Sequence, residues 1–101
     1  MKITIQYFEG CPHWQLADAR LQRALRNLGR DDVSVEHQLI DSPEFAERVG
    51  FRGSPTILFD GRDPFATGMD PIGMSCRVYR TDEGAQGAPS EAQLRSLLAR
   101  D

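Results

Sequence analysis

The sequence predicts a single α/β domain of order β-α-β-α-β-β-α over residues 1–101, and three observations carry that expectation. Apolar and polar residues alternate in Lys2-Ile3-Thr4-Ile5-Gln6-Tyr7-Phe8, the period of a strand with a buried face. From Trp14 to Leu28 the apolar positions change to three- and four-residue steps, the period of an amphipathic helix. Near the end, Ser90-Glu91-Ala92-Gln93 forms a capping box ahead of Leu94, Leu97 and Leu98, which predicts a closing helix.

Each element has its own local signal. Gly10 turns the chain after the first strand, and Pro12 suits the first position of a helix, where a missing N–H costs nothing. That helix is expected from Pro12 to about Leu28, with Trp14, Ala17, Leu21, Ala24, Leu25 and Leu28 on its inner face and Gly29 as C-cap. Val33, Val35 and His37 alternate into a second strand ending near Ile40. Ser42 and Pro43 open a short helix with Phe45 and Val49 inward, and Gly50 stops it. Thr56–Phe59 reads as a third strand, Ser75–Arg80 as a fourth and 81–88 as loop. The Gly- and Pro-bearing stretch from Gly61 to Gly73 is long for a compact domain. A right-handed crossover makes the first two strands parallel.

Composition narrows the function. At 101 residues there is room for one core and not two, and 40% hydrophobic with 27% charged residues describes a globular chain. A net charge of −3, spread along the sequence, gives no reason to expect nucleic acid or an anionic membrane as partner. Apolar runs fall far short of a membrane span. Met1-Lys2 leads straight into the first strand without a signal-peptide pattern, so a cytoplasmic location is expected. Two cysteines in that compartment are expected as free or transiently linked thiols.

Cys11 is the residue that points to chemistry. Between Gly10 and Pro12 it is expected at a helix N-cap, where unpaired amides and the helix dipole favour a thiolate. The plain alternative is a buried structural cysteine acting as a small hydrophobe. Cys11-Pro12-His13-Trp14 resembles the Cys-x-x-Cys site of the thioredoxin superfamily, with the Pro-His pair of DsbA-type disulfide oxidants. Phe51-Arg52-Gly53-Ser54-Pro55-Thr56-Ile57-Leu58-Phe59-Asp60-Gly61 is similar to that family's segment in which a cis-proline precedes a core strand.

The resemblance implies a four-stranded mixed sheet with helices on both faces, as in glutaredoxins, the last two strands antiparallel. It also implies that Pro55 lies beside Cys11, with Ser54, Pro55 and Thr56 in the substrate-contacting segment. The main chain of Ser54 would pair with an extended peptide by strand addition. Without the resemblance, Pro55 is a trans proline at an ordinary strand start.

The departure from the pattern is Trp14, which stands where the second cysteine belongs. An indole cannot resolve a mixed disulfide, so monothiol chemistry remains, with no bound cofactor and with glutathione as a possible co-substrate. His13 is expected either near the sulfur, where an imidazolium stabilises a thiolate, or as a solvent-exposed first-turn residue. Cys76 is the possible resolving thiol. On a fourth strand starting at the far end of the sheet it is too distant, unless the 61–73 loop carries it back; otherwise it is a buried strand residue.

The function expected first is therefore thiol–disulfide exchange through Cys11 with a protein or low-molecular-weight thiol or disulfide. A redox-inactive module binding a peptide or small thiol in the Cys11/Trp14/Pro55 groove is the second reading. Soft-metal or mercury capture by both cysteines, with Asp63 and Asp70, is the third, although nothing in their spacing resembles a metal signature.

Overall fold

The computed structural model describes residues 1–100. At its centre lies β1 (Lys2–Tyr7), flanked by β2 (Ser34–Leu39) in parallel and β3 (Thr56–Phe59) antiparallel, so the sheet order is β2-β1-β3. Ile3 pairs with Phe59 and Ile5 with Ile57, which puts four apolar side chains in register. Helices α1 (Trp14–Leu28) and α3 (Glu91–Leu98) pack on this side through Ala17, Leu21, Ala24, Leu25, Leu94 and Leu98. Leu21, Leu94 and Leu98 are fully buried, and each contributes about 1.5–3 kcal/mol of hydrophobic stabilisation.

The caps form where their residues predict them. Gly29 adopts a left-handed φ of 64° and ends α1, leaving Leu28 more than a third exposed rather than on the inner face. Ser42 accepts the Phe45 N–H at 3.1 Å and starts α2 (Pro43–Val49). In α2 the buried residue is Ala46; Phe45 is half-buried and Val49 faces outward. Ala46, Ile40 and Phe51 form a second cluster with Phe8 and Phe45. Phe8 and Ile40 follow their strands at even positions, on the pleat face opposite Ile3 and Ile5. Ser90 and Gln93 exchange both capping-box hydrogen bonds at the start of α3.

Two expectations about the C-terminal half are corrected. The sheet has three strands, because the segment expected as a fourth strand does not join it. Ser75–Arg77 runs parallel to Ser54, with Ser54 N–H on Ser75 O at 2.8 Å and Arg77 N–H on Ser54 O at 3.0 Å. The expected loop at 81–88 contains a strand, since β4 (Tyr79–Thr81) and β5 (Gly84–Gln86) make a separate antiparallel hairpin. Its turn closes when the Thr81 hydroxyl donates to Gly84 O at 2.7 Å and accepts the Glu83 N–H at 3.1 Å. The order is thus β-α-β-α-β-β-β-α, a mixed α/β fold. Among the described residues, no helix is long and apolar enough to cross a membrane.

Candidate functional site

Cys11 sits in the turn between β1 and α1. Its N–H donates to Phe8 O at 3.3 Å, and Gly10 takes a φ of 88° that favours glycine. The helix starts later than the Pro12 signal predicts. Residues 12–13 form a turn, the first helical hydrogen bond is Ala17 N–H to His13 O, and His13 is the N-cap. Cys11 therefore stands two residues before the cap, and the helix dipole acts most strongly within the first turn.

The sulfur meets the second motif. Cys11 Sγ donates to Ser54 O at 3.7 Å across 43 positions of sequence, and the Phe8 N–H approaches Ser54 Oγ at 3.4 Å. The Ser54–Pro55 peptide is cis. Cys11 is only 4% exposed, and Ser54, Pro55 and Thr56 are buried. The Ser54 main chain, expected to be open to an extended peptide, is filled on both sides by Ser75 and Arg77 of the same chain.

The flanking residues divide. Pro12 is exposed. The His13 ring packs on Gly87, where an added Cβ would lie 2.3 Å from its Cγ. This close approach needs a residue without a side chain at 87. Trp14 stacks on Tyr7 with ring centroids 4.3 Å apart and meets His37 edge-on at 5.2 Å. His37 Nε2 in turn lies 3.1 Å from Asp18 Oδ1. Trp14 thus ties the start of α1 to β1 and β2.

A buried polar cluster supports the Pro55 segment; the sequence reading singled out Thr56 and Asp63 for other roles and missed Arg77 and Tyr79. Arg77 Nη1 lies 2.6 Å from Asp63 Oδ2 and donates to Thr56 Oγ1 at 3.3 Å, while Thr56 Oγ1 donates to Gly53 O at 2.6 Å. Arg52 reaches the same carboxylate at 3.7 Å. The Tyr79 hydroxyl donates to Pro55 O, and burial holds its pKa well above the ordinary 10.0. Gly53, at φ 103°, lets the Ser75–Arg77 segment approach; a Cβ there would lie 3.0 Å from Ser75 O. Among these only Gly53 has a local signal, a glycine ahead of Ser-Pro.

Asp63 and Asp70, considered above with the cysteines, have other partners. Asp63 holds Arg77, and the Asp70 carboxylate accepts the Thr67 N–H at 2.8 Å, the first cause of its lowered pKa. Among the described residues no group of three or more His, Cys, Asp or Glu is arranged to hold a metal ion.

Cys76 is exposed and opposite Ser54, not at the far end of the sheet, because the 61–73 loop carries it back. Both cysteines are free thiols. A cleft of about 200 Å³ opens beside the site, lined by Phe8, Glu9, Leu39, Ile40, Asp41 and Met74. The chain matches no protein-family model, no curated protein and no solved structure.

Proposed function

We propose that this chain is a thioredoxin-like protein that exchanges thiols and disulfides through Cys11. The observation that carries the reading is the 3.7 Å contact between Cys11 Sγ and the carbonyl of Ser54, the residue before a cis-proline. Two motifs that each resemble that superfamily meet at one point. Cys11 is the nucleophile, the Ser54–Pro55–Thr56 segment forms the wall against it, and Arg77, Asp63 and Tyr79 hold that wall. His13, the residue that caps α1, orients the Cys11 turn from its seat on Gly87.

The partner is a low-molecular-weight disulfide rather than an extended peptide. Strand addition at Ser54 needs free main-chain groups, and residues 75–77 already use them. The neighbouring cleft, about 200 Å³ with apolar Phe8, Ile40 and Met74, suits one small substituent. Two unpaired cysteines suit a reducing compartment, and we place the protein in the cytoplasm on that ground.

The test is turnover of a mixed disulfide between glutathione and a small thiol, with reduced glutathione as electron donor. Activity should vanish in Cys11→Ser and persist in His37→Ala. The low exposure of Cys11, 4%, favours a second reading, a redox-inactive module that binds a small thiol noncovalently. In that case the wild type has no turnover, and Cys11→Ser retains the ligand affinity of the parent.

A further inference from the structure

We infer that Cys76 is the resolving thiol for Cys11, so that the second cysteine of the redox pair comes from the 61–78 segment and not from the helix. The inference rests on the exchange reaction proposed for Cys11. Both cysteines are tied to one residue. Cys11 Sγ donates to Ser54 O, the same oxygen accepts the Arg77 N–H at 3.0 Å, and Cys76 is the bridge partner of Ser54. Followed through those contacts, Cys76 Cα lies no more than about 9 Å from Cys11 Sγ.

The surroundings of Cys76 fit the role. Side chains alternate along an extended segment. Arg77 turns inward to Asp63, and Cys76 is exposed. The chain before it is held by few apolar contacts, with Met69, Ile72 and Met74 exposed, while Arg77 and Tyr79 anchor the chain after it. Cys76 is thus held between the two residues that hydrogen-bond Ser54, with its side chain exposed, and Cys11 is fixed in its turn on the other side of the same residue. The filled slot at Ser54 excludes an extended partner strand from the sulfur. The chain has only two cysteines, so no other internal thiol is available.

The chemistry balances with a small disulfide as oxidant. The Cys11 thiolate attacks one sulfur of the disulfide; a Cys11 mixed disulfide forms, and the first small thiolate leaves and takes a proton. The Cys76 thiolate then attacks Cys11 Sγ, the second small thiolate leaves, and a Cys11–Cys76 disulfide remains. Two electrons pass from the cysteine pair to the external disulfide, giving two small thiols. Two equivalents of an external thiol return the pair to its reduced form: the first forms a mixed disulfide with one cysteine and frees the other, and the second releases that cysteine and leaves as an external disulfide.

The experiment is incubation of the reduced full-length protein with glutathione disulfide, followed by acid quenching and nonreducing mass spectrometry with peptide mapping. Wild type should lose two hydrogens, yield a linked Cys11–Cys76 peptide and shed its Cys11-bound glutathione. Cys76→Ser should keep that glutathione on Cys11, and Cys76→Ala provides the same readout should the serine variant misfold. Equal retention of the Cys11 adduct in wild type and variant overturns the resolving role while leaving Cys11 as nucleophile. Absence of any Cys11 adduct in both folded variants overturns the exchange reaction itself, and the resolving role with it.

Discussion

Arg77 Nη1 and Asp63 Oδ2 stand 2.6 Å apart with side chains 6% and 1% exposed, and this pair fixes the segment that faces Cys11. Removing Asp63 leaves the buried Arg77 charge without its carboxylate, which costs about 3–5 kcal/mol, whereas removing Arg77 leaves Asp63 with Arg52 at 3.7 Å. Asp63→Ala is expected to lower stability by that amount in urea unfolding, and Arg77→Ala by less, because Arg52 still faces the carboxylate. Asp63→Leu combined with Arg77→Met should cost less than the sum of the two single changes.

Tyr79 gives the fold a pH limit on the alkaline side. Its hydroxyl donates to Pro55 O, and burial, opposed by Arg77 and reinforced by Asp63, raises its pKa above 10.0. Below pH 10 both folded and unfolded chains keep this proton. Above it the unfolded chain binds fewer protons than the folded one, so stability falls as pH rises. The slope from this group approaches about 1.4 kcal/mol per pH unit. Tyr79→Phe should remove that slope from stability-versus-pH curves. At neutral pH the variant should lose about 0.5–1.5 kcal/mol, the worth of one hydrogen bond.

Gly53 and Gly87 are points of contact between distant segments. Gly53→Ala meets a φ of 103°, Ser75 O at 3.0 Å and Arg77 Cβ at 3.2 Å. Its expected cost is about 1–3 kcal/mol, together with faster hydrogen exchange at the Arg77 amide. Gly87→Ala must displace the His13 ring and should move the imidazole resonances of His13 far more than those of His37.

Local signals in the sequence are legible because each is completed within one helical turn. Ser42, the Ser90–Gln93 box, Gly29 and Gly50 all act on backbone groups a few residues away. The pairing of β1 with β2 and the Thr56–Phe59 strand follow from alternation and a short crossover. Groups whose partners lie far along the chain are not legible in this way. Nothing near Arg77 announces Asp63, and Ser75–Arg77 has the composition of a strand but spends its hydrogen bonds on Ser54. The helix start differs from its signal for a related reason. Pro12 fits a first helical position, but the Cys11-to-Phe8 turn delays the cap to His13.

Trp14→Cys tests the geometry of the 11–14 segment. The substitution puts a thiol at the first residue of α1, three positions after Cys11. In a Cys76→Ser background the introduced thiol should form a reversible disulfide with Cys11. Loss of the ring stacked on Tyr7 should cost about 0.5–1.5 kcal/mol beyond the lost burial. A folded variant that resists oxidation would separate this turn from the Cys-x-x-Cys geometry it resembles.

Cys11, although nearly buried, is assigned here as a nucleophile of the folded protein, and everything proposed for the site depends on that. The decisive quantity is the rate at which Cys11 reacts with glutathione disulfide in folded Cys76→Ser, against the same chain unfolded in urea. Faster reaction in the folded chain is expected, with the adduct mapped to Cys11. Reaction only after unfolding would contradict the assignment and leave a structural thiol donating to Ser54.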